Sequence, residues 1–193
     1  MNYLGHLFLS DNDTSLMVAN LYGDFVKGKD LSEYPPKVRE GITLHRAIDH
    51  FIDTHPVVLN LLHDLYPQLP KVAGIAVDLY FDHLLAKYWN NYHTRPLDEF
   101  LADFYLNATY KLPEFSVDFQ KMMHMLIEVN WISYYPTLDG LEKACRGVSS
   151  RISFPNELKN GVRFFLEHEE KILTAFELFM KDAVDYFNIR NSK

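Results

Sequence analysis

Apolar residues recur at intervals of three and four along most of this 193-residue chain. This spacing places apolar side chains on one face of an α-helix, because a helix has 3.6 residues per turn. The long runs of alternating apolar and polar residues that are typical of strands do not occur. The sequence therefore predicts an all-α fold, built as a single-domain helical bundle.

The length of the chain, at 22.6 kDa, is that of one domain that buries roughly 70% of the surface its unfolded form exposes. We expect a single all-α domain over residues 1–193, with the site-bearing part at about residues 1–90 and supporting helices at about residues 95–190. Prolines punctuate the apolar pattern. The longest helices that this punctuation predicts cover about residues 37–54, 71–89 and 113–135.

Charge and composition exclude several classes of protein. The 19 basic and 26 acidic side chains give a net charge of -7, which disfavours nucleic-acid binding because that binding depends on phosphate neutralisation. Cys145 is the only cysteine, so no internal disulfide can form. No apolar run is long enough to span a bilayer, and the first residues lack the basic region of a signal peptide. We expect a cytoplasmic protein with neither nucleic acid nor membrane as a partner.

Two predicted helices carry ionisable residues four positions apart, a spacing that stacks side chains on one helix face. The run GITLHRAIDHFIDTH contains His45, Asp49 and Asp53, and the run AVDLYFDHLL contains Asp78, Asp82 and His83. If the two faces oppose each other, imidazole and carboxylate groups enclose a site for a divalent metal ion. The apolar flanks indicate that both helices are largely buried, where a carboxylate is costly unless it is paired or binds a metal. The alternative from the residues alone is a set of hydrogen-bonded core pairs.

Three further residues bear on such a site. Asp24 ends an apolar helix, an unfavourable position for an anion unless a cation is near. Arg46 follows His45 directly and is suited to holding a phosphate. His6 lies alone in the apolar run YLGHLFL, so the expectation for it is a core histidine that is hydrogen-bonded in place.

The sequence contains no GxGxxG, P-loop, GxSxG or HExxH motif, which removes the usual nucleotide-binding, serine-hydrolase and zinc-protease patterns. The remaining chemistry is metal-assisted hydrolysis, in which a divalent ion polarises a phosphoryl oxygen and lowers the pKa of a bound water.

The motifs MNYLGHLFLS, NLYGDFVKG, GITLHRAIDHFIDTHP and VDLYFDHLLAKYW occur in this order, with a Pro-Pro pair between the second and third. In order and spacing they resemble the acyl carrier protein phosphodiesterase family over about residues 1–90. The second half resembles the family more loosely, around Trp131, Ser150-Arg151 and the helix that carries His168.

The resemblance implies an all-α fold of the HD-domain phosphohydrolase type and hydrolysis of the 4'-phosphopantetheine group from holo-acyl carrier protein. It implies a divalent cofactor, with Mn²⁺ ahead of Mg²⁺, Fe²⁺ or Zn²⁺. The metal-ligand candidates that it implies are His45, Asp49, Asp82, His83, Asp24 and Asp78. The catalytic candidates are Asp24, Arg46, Asp78 and Lys27, with Arg46 and Lys27 on the phosphodiester. The Asp82-His83 pair reverses the His-Asp order that names the HD superfamily.

Two other functions stay open at this point. One is an HD-like phosphohydrolase that acts on a nucleotide or another small phosphoester, and the other is a helical module that binds carrier protein without chemistry. Carrier proteins are acidic, so a chain of charge -7 needs a local basic surface to bind one. The segment between Lys27 and Arg46 is the predicted docking region.

Overall fold

The all-α prediction is confirmed by the computed structural model, which describes residues 1–190 and contains no strand in that range. Its helices, in chain order, are α1 (Tyr3–Phe8), α2 (Thr14–Leu21), α3 (Pro36–Thr54), α4 (Pro56–Leu65), α5 (Ala73–Lys87), α6 (Trp89–Tyr92), α7 (Leu97–Thr109), α8 (Val117–Val129), α9 (Leu138–Ser149), α10 (Gly161–Glu167) and α11 (Glu169–Tyr186). Short 3₁₀ turns lie at Tyr22–Phe25, Leu112–Glu114, Trp131–Tyr134 and Leu158–Asn160. None of the helices described is long and apolar enough to cross a membrane.

Local sequence explains where the helices begin. Asp13 caps α2 by accepting a hydrogen bond from the Leu16 N–H at 3.0 Å, and Thr137 caps α9 through the Gly140 N–H at 3.0 Å. Pro36 and Pro56 open α3 and α4 from the first helical position, where proline loses no hydrogen bond. These local signals predict the first residue of each of these helices to within a few positions.

The sequence predicts one long helix at about residues 113–135, and this prediction is wrong in its extent because the helix is shorter. The structure has α8 at Val117–Val129, and Asn130 then takes a left-handed conformation with φ 49° that ends the helix. A 3₁₀ turn follows at Trp131–Tyr134. Asparagine tolerates this conformation better than most residues, so a helix can stop there without glycine or proline.

Helix α5 is the central element of the bundle and packs against α1, α4, α9 and α11. Eleven of its fifteen residues are buried, including Asp82 and His83. A buried charge or imidazole is stable only when its polar atoms are satisfied. Asp82 and His83 therefore need partners from other parts of the chain.

Helices α2 and α3 approach each other closely at Gly41. A Cβ built on Gly41 would lie 2.3 Å from the Ala19 Cβ, so no larger residue fits there without movement of one helix. This contact fixes the position of α3 relative to the N-terminal segment. It brings the middle of α3, with His45 and Asp49, beside α1.

Candidate metal centre

A cavity of about 330 Å³ lies between α1, α3, α5 and the end of α9. Four carboxylates line it, and they belong to Asp24, Asp49, Asp53 and Asp78. His6 adds an imidazole, and no Lys or Arg within residues 1–190 is part of the lining. The walls of the cavity are therefore acidic, and they attract a cation more readily than an anion.

His6 and Asp49, which line this cavity, come together with His45, and each of the three offers a ligand atom within 4.8 Å of the others. The Asp49 carboxylate bridges the Nε2 atoms of the two rings, with Oδ2 3.2 Å from His45 Nε2 and Oδ1 3.3 Å from His6 Nε2. The rings stack with centroids 4.3 Å apart. Two imidazoles and one carboxylate form a donor set that suits a divalent metal ion. We refer to these residues as the His6–His45–Asp49 cluster.

Asn20 fixes the orientation of His6. Its Nδ2 donates to the His6 carbonyl oxygen at 3.1 Å and to Ser10 Oγ at 3.0 Å, so its Oδ1 is the acceptor that faces His6 Nδ1 at 2.9 Å. A neutral His6 consequently carries its proton on Nδ1 and directs the Nε2 lone pair toward the Asp49 carboxylate.

The orientation of the His6 ring shows whether a divalent metal ion fits between His6 and Asp49. Burial lowers the pKa of His6, and contact with Asp49 offsets only part of that effect, so the neutral ring is favoured at neutral pH. A lone pair and a carboxylate oxygen 3.3 Å apart repel each other unless a cation lies between them. The residues present thus fit a bound divalent ion.

The electrostatics of His45 differ from those of His6. Burial lowers the pKa of His45, but hydrogen bonds to Asp24 and Asp49 outweigh burial and raise the pKa to about 9. Burial raises the pKa of Asp49, yet its contacts with His45 and His6 hold that pKa well below its ordinary value. Without metal, the positive charge of a protonated His45 compensates the two carboxylates beside it. A metal ion must replace that proton in order to bind the Nε2 atom.

Asp24 was predicted from its place at a helix end, and the structure brings it to the cluster. Its Oδ1 lies 3.3 Å from His45 Nε2, while two thirds of the side chain, 67%, remains exposed. Asp24 sits in the 3₁₀ turn Tyr22–Phe25 that follows α2. It therefore contacts both His45 and the contents of the cavity.

The two carboxylates of α5 contact the N-terminal segment. Asp82 is 1% exposed and accepts hydrogen bonds from the backbone N–H groups of Leu4 at 2.8 Å, Gly5 at 3.1 Å and Asn2 at 3.2 Å. Asp78, at the cavity wall, lies 2.8 Å from the α-amino group of Met1. Asp82 thus satisfies the free N–H groups at the start of α1. A ligand role for either residue stays a prediction.

His83 follows Asp82 but faces another part of the core. Its Nδ1 lies 2.6 Å from the Tyr135 carbonyl oxygen, and its ring packs edge-on against Phe165. Burial lowers the pKa of His83, so the neutral ring donates from Nδ1 to that oxygen. The lining described for the cavity does not include His83, and the structure does not join it to the cluster.

The two basic residues predicted to bind phosphate lie on the loop side of the cluster. Arg46 is half-buried and donates from one guanidinium nitrogen to the carbonyl oxygens of Gly28 at 2.7 Å and Val26 at 3.3 Å. Lys27 is exposed on the same loop. Arg46 therefore holds the loop that follows Asp24, and neither side chain lines the cavity described.

His6 matches the family pattern in sequence, but it is not among the metal ligands or catalytic residues predicted above. As a lone histidine in an apolar helix it resembles an ordinary core residue, and its contact with Asn20 agrees with that expectation. Its second nitrogen nevertheless faces Asp49 across the cavity. The available signal was Asn20, a second buried polar residue in the neighbouring apolar helix.

Comparisons with known proteins agree with the order of the motifs. Residues 1–183 match the family described as acyl carrier protein phosphodiesterase. Proteins of that name from Enterobacter sp. (strain 638) and Klebsiella pneumoniae subsp. pneumoniae are 32% and 29% identical, over 93% of this chain and 93% of each relative. A Yersinia pestis protein of the same name is 29% identical over 95% of this chain and 97% of its own. No solved structure matches, so the HD-like character of the fold stays a prediction. The chain belongs to the acyl carrier protein phosphodiesterase family.

Proposed function

We propose that this protein is a metal-dependent phosphodiesterase that releases 4'-phosphopantetheine from holo-acyl carrier protein and leaves apo-carrier. Family membership and the names of its relatives support a phosphodiesterase that acts on acyl carrier protein. The observation that carries the metal dependence is the His6–His45–Asp49 cluster at the acidic cavity.

His6 Nε2, His45 Nε2 and a carboxylate oxygen of Asp49 would hold the ion. Imidazole and carboxylate donors without thiolate suit Mn²⁺, and they also accept Mg²⁺, Fe²⁺ or Zn²⁺. A divalent ion bound there supplies Lewis acidity toward a phosphoryl oxygen and acidifies a water molecule. Asn20 would orient the His6 imidazole through its other ring nitrogen, as second partners of metal-bound histidines commonly do. Asp24 contacts His45 at the nitrogen that would bind the ion.

Asp24 is the residue placed to accept a proton during hydrolysis. It is exposed to the cavity and contacts the cluster through His45. In the reaction, the oxygen of water forms a bond to phosphorus, and the bond from phosphorus to the carrier serine oxygen breaks. Asp24 takes a proton from the attacking water and later releases it to solvent, and the leaving serine oxygen takes a proton from a solvent water molecule. The products are phosphopantetheine and a carrier with a free serine hydroxyl.

Intact-mass analysis of holo-acyl carrier protein tests this function directly. Holo-carrier is incubated with the protein and Mn²⁺, with EDTA in place of Mn²⁺, and with the Asp49→Asn variant. Asp118→Asn is the matched control, because Asp118 is an exposed residue of α8 outside the cavity lining. We expect loss of the phosphopantetheine mass with wild-type protein and with Asp118→Asn, in Mn²⁺ only.

Two results would contradict the proposal. Cleavage that persists in EDTA after prior metal removal would exclude the metal. An intact holo-carrier under every metal, together with turnover of a nucleotide or another small phosphoester, would assign the site to a small-molecule substrate instead. If the carrier stays intact and no phosphoester is turned over, the remaining function is a helical module that binds carrier protein without chemistry.

A further inference from the structure

Two loops at the surface, outside the metal centre, carry two cations and an exposed aromatic ring. Lys71 lies in the loop before α5, and its Nζ is 5.5 Å from the ring centroid of Phe154. Phe154 is 38% exposed and belongs to the loop after α9, as does the exposed Arg151. We call Lys71, Arg151 and Phe154 the cationic rim.

The cationic rim adjoins the cavity through both of its loops. Lys71 precedes Ile75 by four residues and Arg151 follows Val148 by three, and Ile75 and Val148 both line the cavity. Arg151 is tied to the end of α9, because its backbone N–H donates to the Val148 carbonyl oxygen at 3.0 Å and its Nε to that of Gly147 at 3.1 Å. The rim is therefore held beside the mouth of the cavity.

The charge of Arg151 also acts on the cavity. Burial and the charge of Asp24 raise the pKa of Tyr3, whereas the guanidinium of Arg151 opposes them. Tyr3 lines the cavity, so Arg151 is close enough to influence a group inside it. An anionic substrate that approaches the four cavity carboxylates meets this positive charge at the mouth.

Lys71 has an unusual backbone conformation. Its φ of 67° lies in the left-handed region, which is unfavourable for a residue with a side chain. The turn brings the Lys71 ammonium over the Phe154 ring and joins two loops that are far apart in sequence. The rim is thus a defined surface, built by contacts between the loops.

We propose that the cationic rim is the docking surface for an acidic segment of the carrier protein next to its phosphodiester. This inference rests on the proposed function and specifies how that site takes a protein substrate. Lys71, Arg151 and Phe154 lie outside the cavity lining, so they contact parts of a substrate that is larger than the cavity. Two cations beside an exposed aromatic ring match an acidic protein surface that also carries apolar side chains.

The basic segment between Lys27 and Arg46 fits this role less well. Lys37 is already paired with Asp13 at 2.8 Å and Glu40 at 3.0 Å, and Arg46 is bound to loop carbonyls. Arg39 precedes Asp49 by ten residues of α3, which places it about 15 Å along the helix from the cluster. Within this segment Lys37 is therefore already paired and Arg39 is remote from the cavity, while Lys27 and Lys29 are exposed.

Charge reversal on the rim tests the proposal. The double variant Lys71→Glu, Arg151→Glu is compared with Lys29→Glu, Arg39→Glu, which makes the same charge change on exposed residues of the rival segment. Three quantities are measured in Mn²⁺: kcat and KM for holo-carrier at low and high salt, hydrolysis of bis(p-nitrophenyl) phosphate, and binding of fluorescent apo-carrier. The double variant Lys71→Gln, Arg151→Gln removes the two positive charges without reversing them, so its effect on carrier binding should be intermediate.

We expect reversal on the rim to raise KM and the apo-carrier Kd about tenfold or more at low salt, with a smaller effect at high salt. The kcat values for the small diester and for holo-carrier should be unchanged, which also shows that the variant is folded. Equal or larger effects from Lys29→Glu, Arg39→Glu would overturn the proposal, as would unaltered carrier binding by the rim variant. Because apo-carrier binding requires no cleavage, the wild-type protein can bind carrier yet fail to cleave it. That result would reject the proposed function alone.

Discussion

The imidazole of His45 packs directly on the backbone of Gly23. A Cβ built on Gly23 would lie 2.3 Å from His45 Cγ, closer than two carbon atoms can approach. The same 3₁₀ turn carries Asp24, whose carboxylate contacts His45 Nε2. The turn therefore holds the ring from one side and binds its nitrogen from the other, and it sets the direction of a predicted metal ligand.

Replacing Gly23 by alanine should displace His45 and weaken metal binding. We expect Mn²⁺ affinity to fall about 10- to 100-fold, the range found when groups that support a metal ligand are altered. Isothermal titration calorimetry measures it. Gly147→Ala is the matched control, since a Cβ there meets nothing within 4 Å. That variant should bind Mn²⁺ normally and be up to about 1 kcal/mol more stable, as alanine favours a helix over glycine. Normal Mn²⁺ affinity in Gly23→Ala would contradict the role given to this contact.

Asp82 and Asp49 should respond differently to the same Asp→Asn change. The Asp82→Asn variant weakens the acceptor for three backbone N–H groups, so we expect its free energy of unfolding to fall by about 2–3 kcal/mol. Its Mn²⁺ stoichiometry should be unchanged. The Asp49→Asn variant should lose Mn²⁺ in addition to the stability that its charge contributes beside His45. Urea denaturation measures the stability of each variant, and metal titration measures its Mn²⁺ binding. Loss of Mn²⁺ binding without destabilisation in Asp82→Asn would indicate that Asp82 is a metal ligand.

The metal-free protein should lose stability as pH rises through the alkaline range. The pKa of His45 is raised from 6.5 to about 9, so its contribution is complete below pH 6.5 and is lost as pH rises to about 9. This shift corresponds to about 3 kcal/mol in the free energy of unfolding. The pKa of Asp49 is lowered, so its contribution is lost only as pH falls below the ordinary value of 3.8.

Denaturation in EDTA at about pH 6 and about pH 10 measures the His45 contribution. The His45→Gln variant is the control, because it removes this titration and should flatten the pH dependence by about 3 kcal/mol. The N-terminal amino group, whose pKa is also raised, is common to both proteins and cancels in the comparison. An equal pH dependence in wild type and His45→Gln would show that His45 is not protonated between the two carboxylates.

Arg46 should act on stability more than on substrate binding. Its guanidinium holds the carbonyl oxygens of Val26 and Gly28, so Arg46→Met should lower the free energy of unfolding by about 1 kcal/mol. If that is its whole role, KM for bis(p-nitrophenyl) phosphate should not change. A raised KM that Arg46→Lys partly restores would instead support the phosphate contact predicted from sequence. Steady-state kinetics and thermal melting on the three proteins distinguish these roles.

The helices could be predicted because their signals are local. Proline at the first helical position and the side-chain cap at Asp13 act within one turn. The end of α8 at Asn130 was missed, because a left-handed asparagine resembles any polar helix residue in sequence. Its conformation is visible only in the folded chain.

The candidate site was predictable in part for the same reason. His45 and Asp49 share one helix face, so their proximity follows from spacing alone. The partner of Asp82 is the N-terminal backbone, and a main-chain N–H group leaves no trace in the residue pattern. His83 adjoins Asp82 in sequence, yet successive residues of a helix point about 100° apart, so the two side chains have different surroundings.

The contact between Asp82 and the start of α1 determines when the centre can form during synthesis. Residues 2, 4 and 5 find their acceptor 80, 78 and 77 positions later in the chain. At roughly 5–20 residues per second, a ribosome needs about 4–16 s to add that stretch. During this interval α1 has no carboxylate to satisfy its N–H groups, and His6 is not yet held opposite Asp49. The centre consequently cannot form before Asp82 has been added, and tight metal binding would report that α1 has docked on α5.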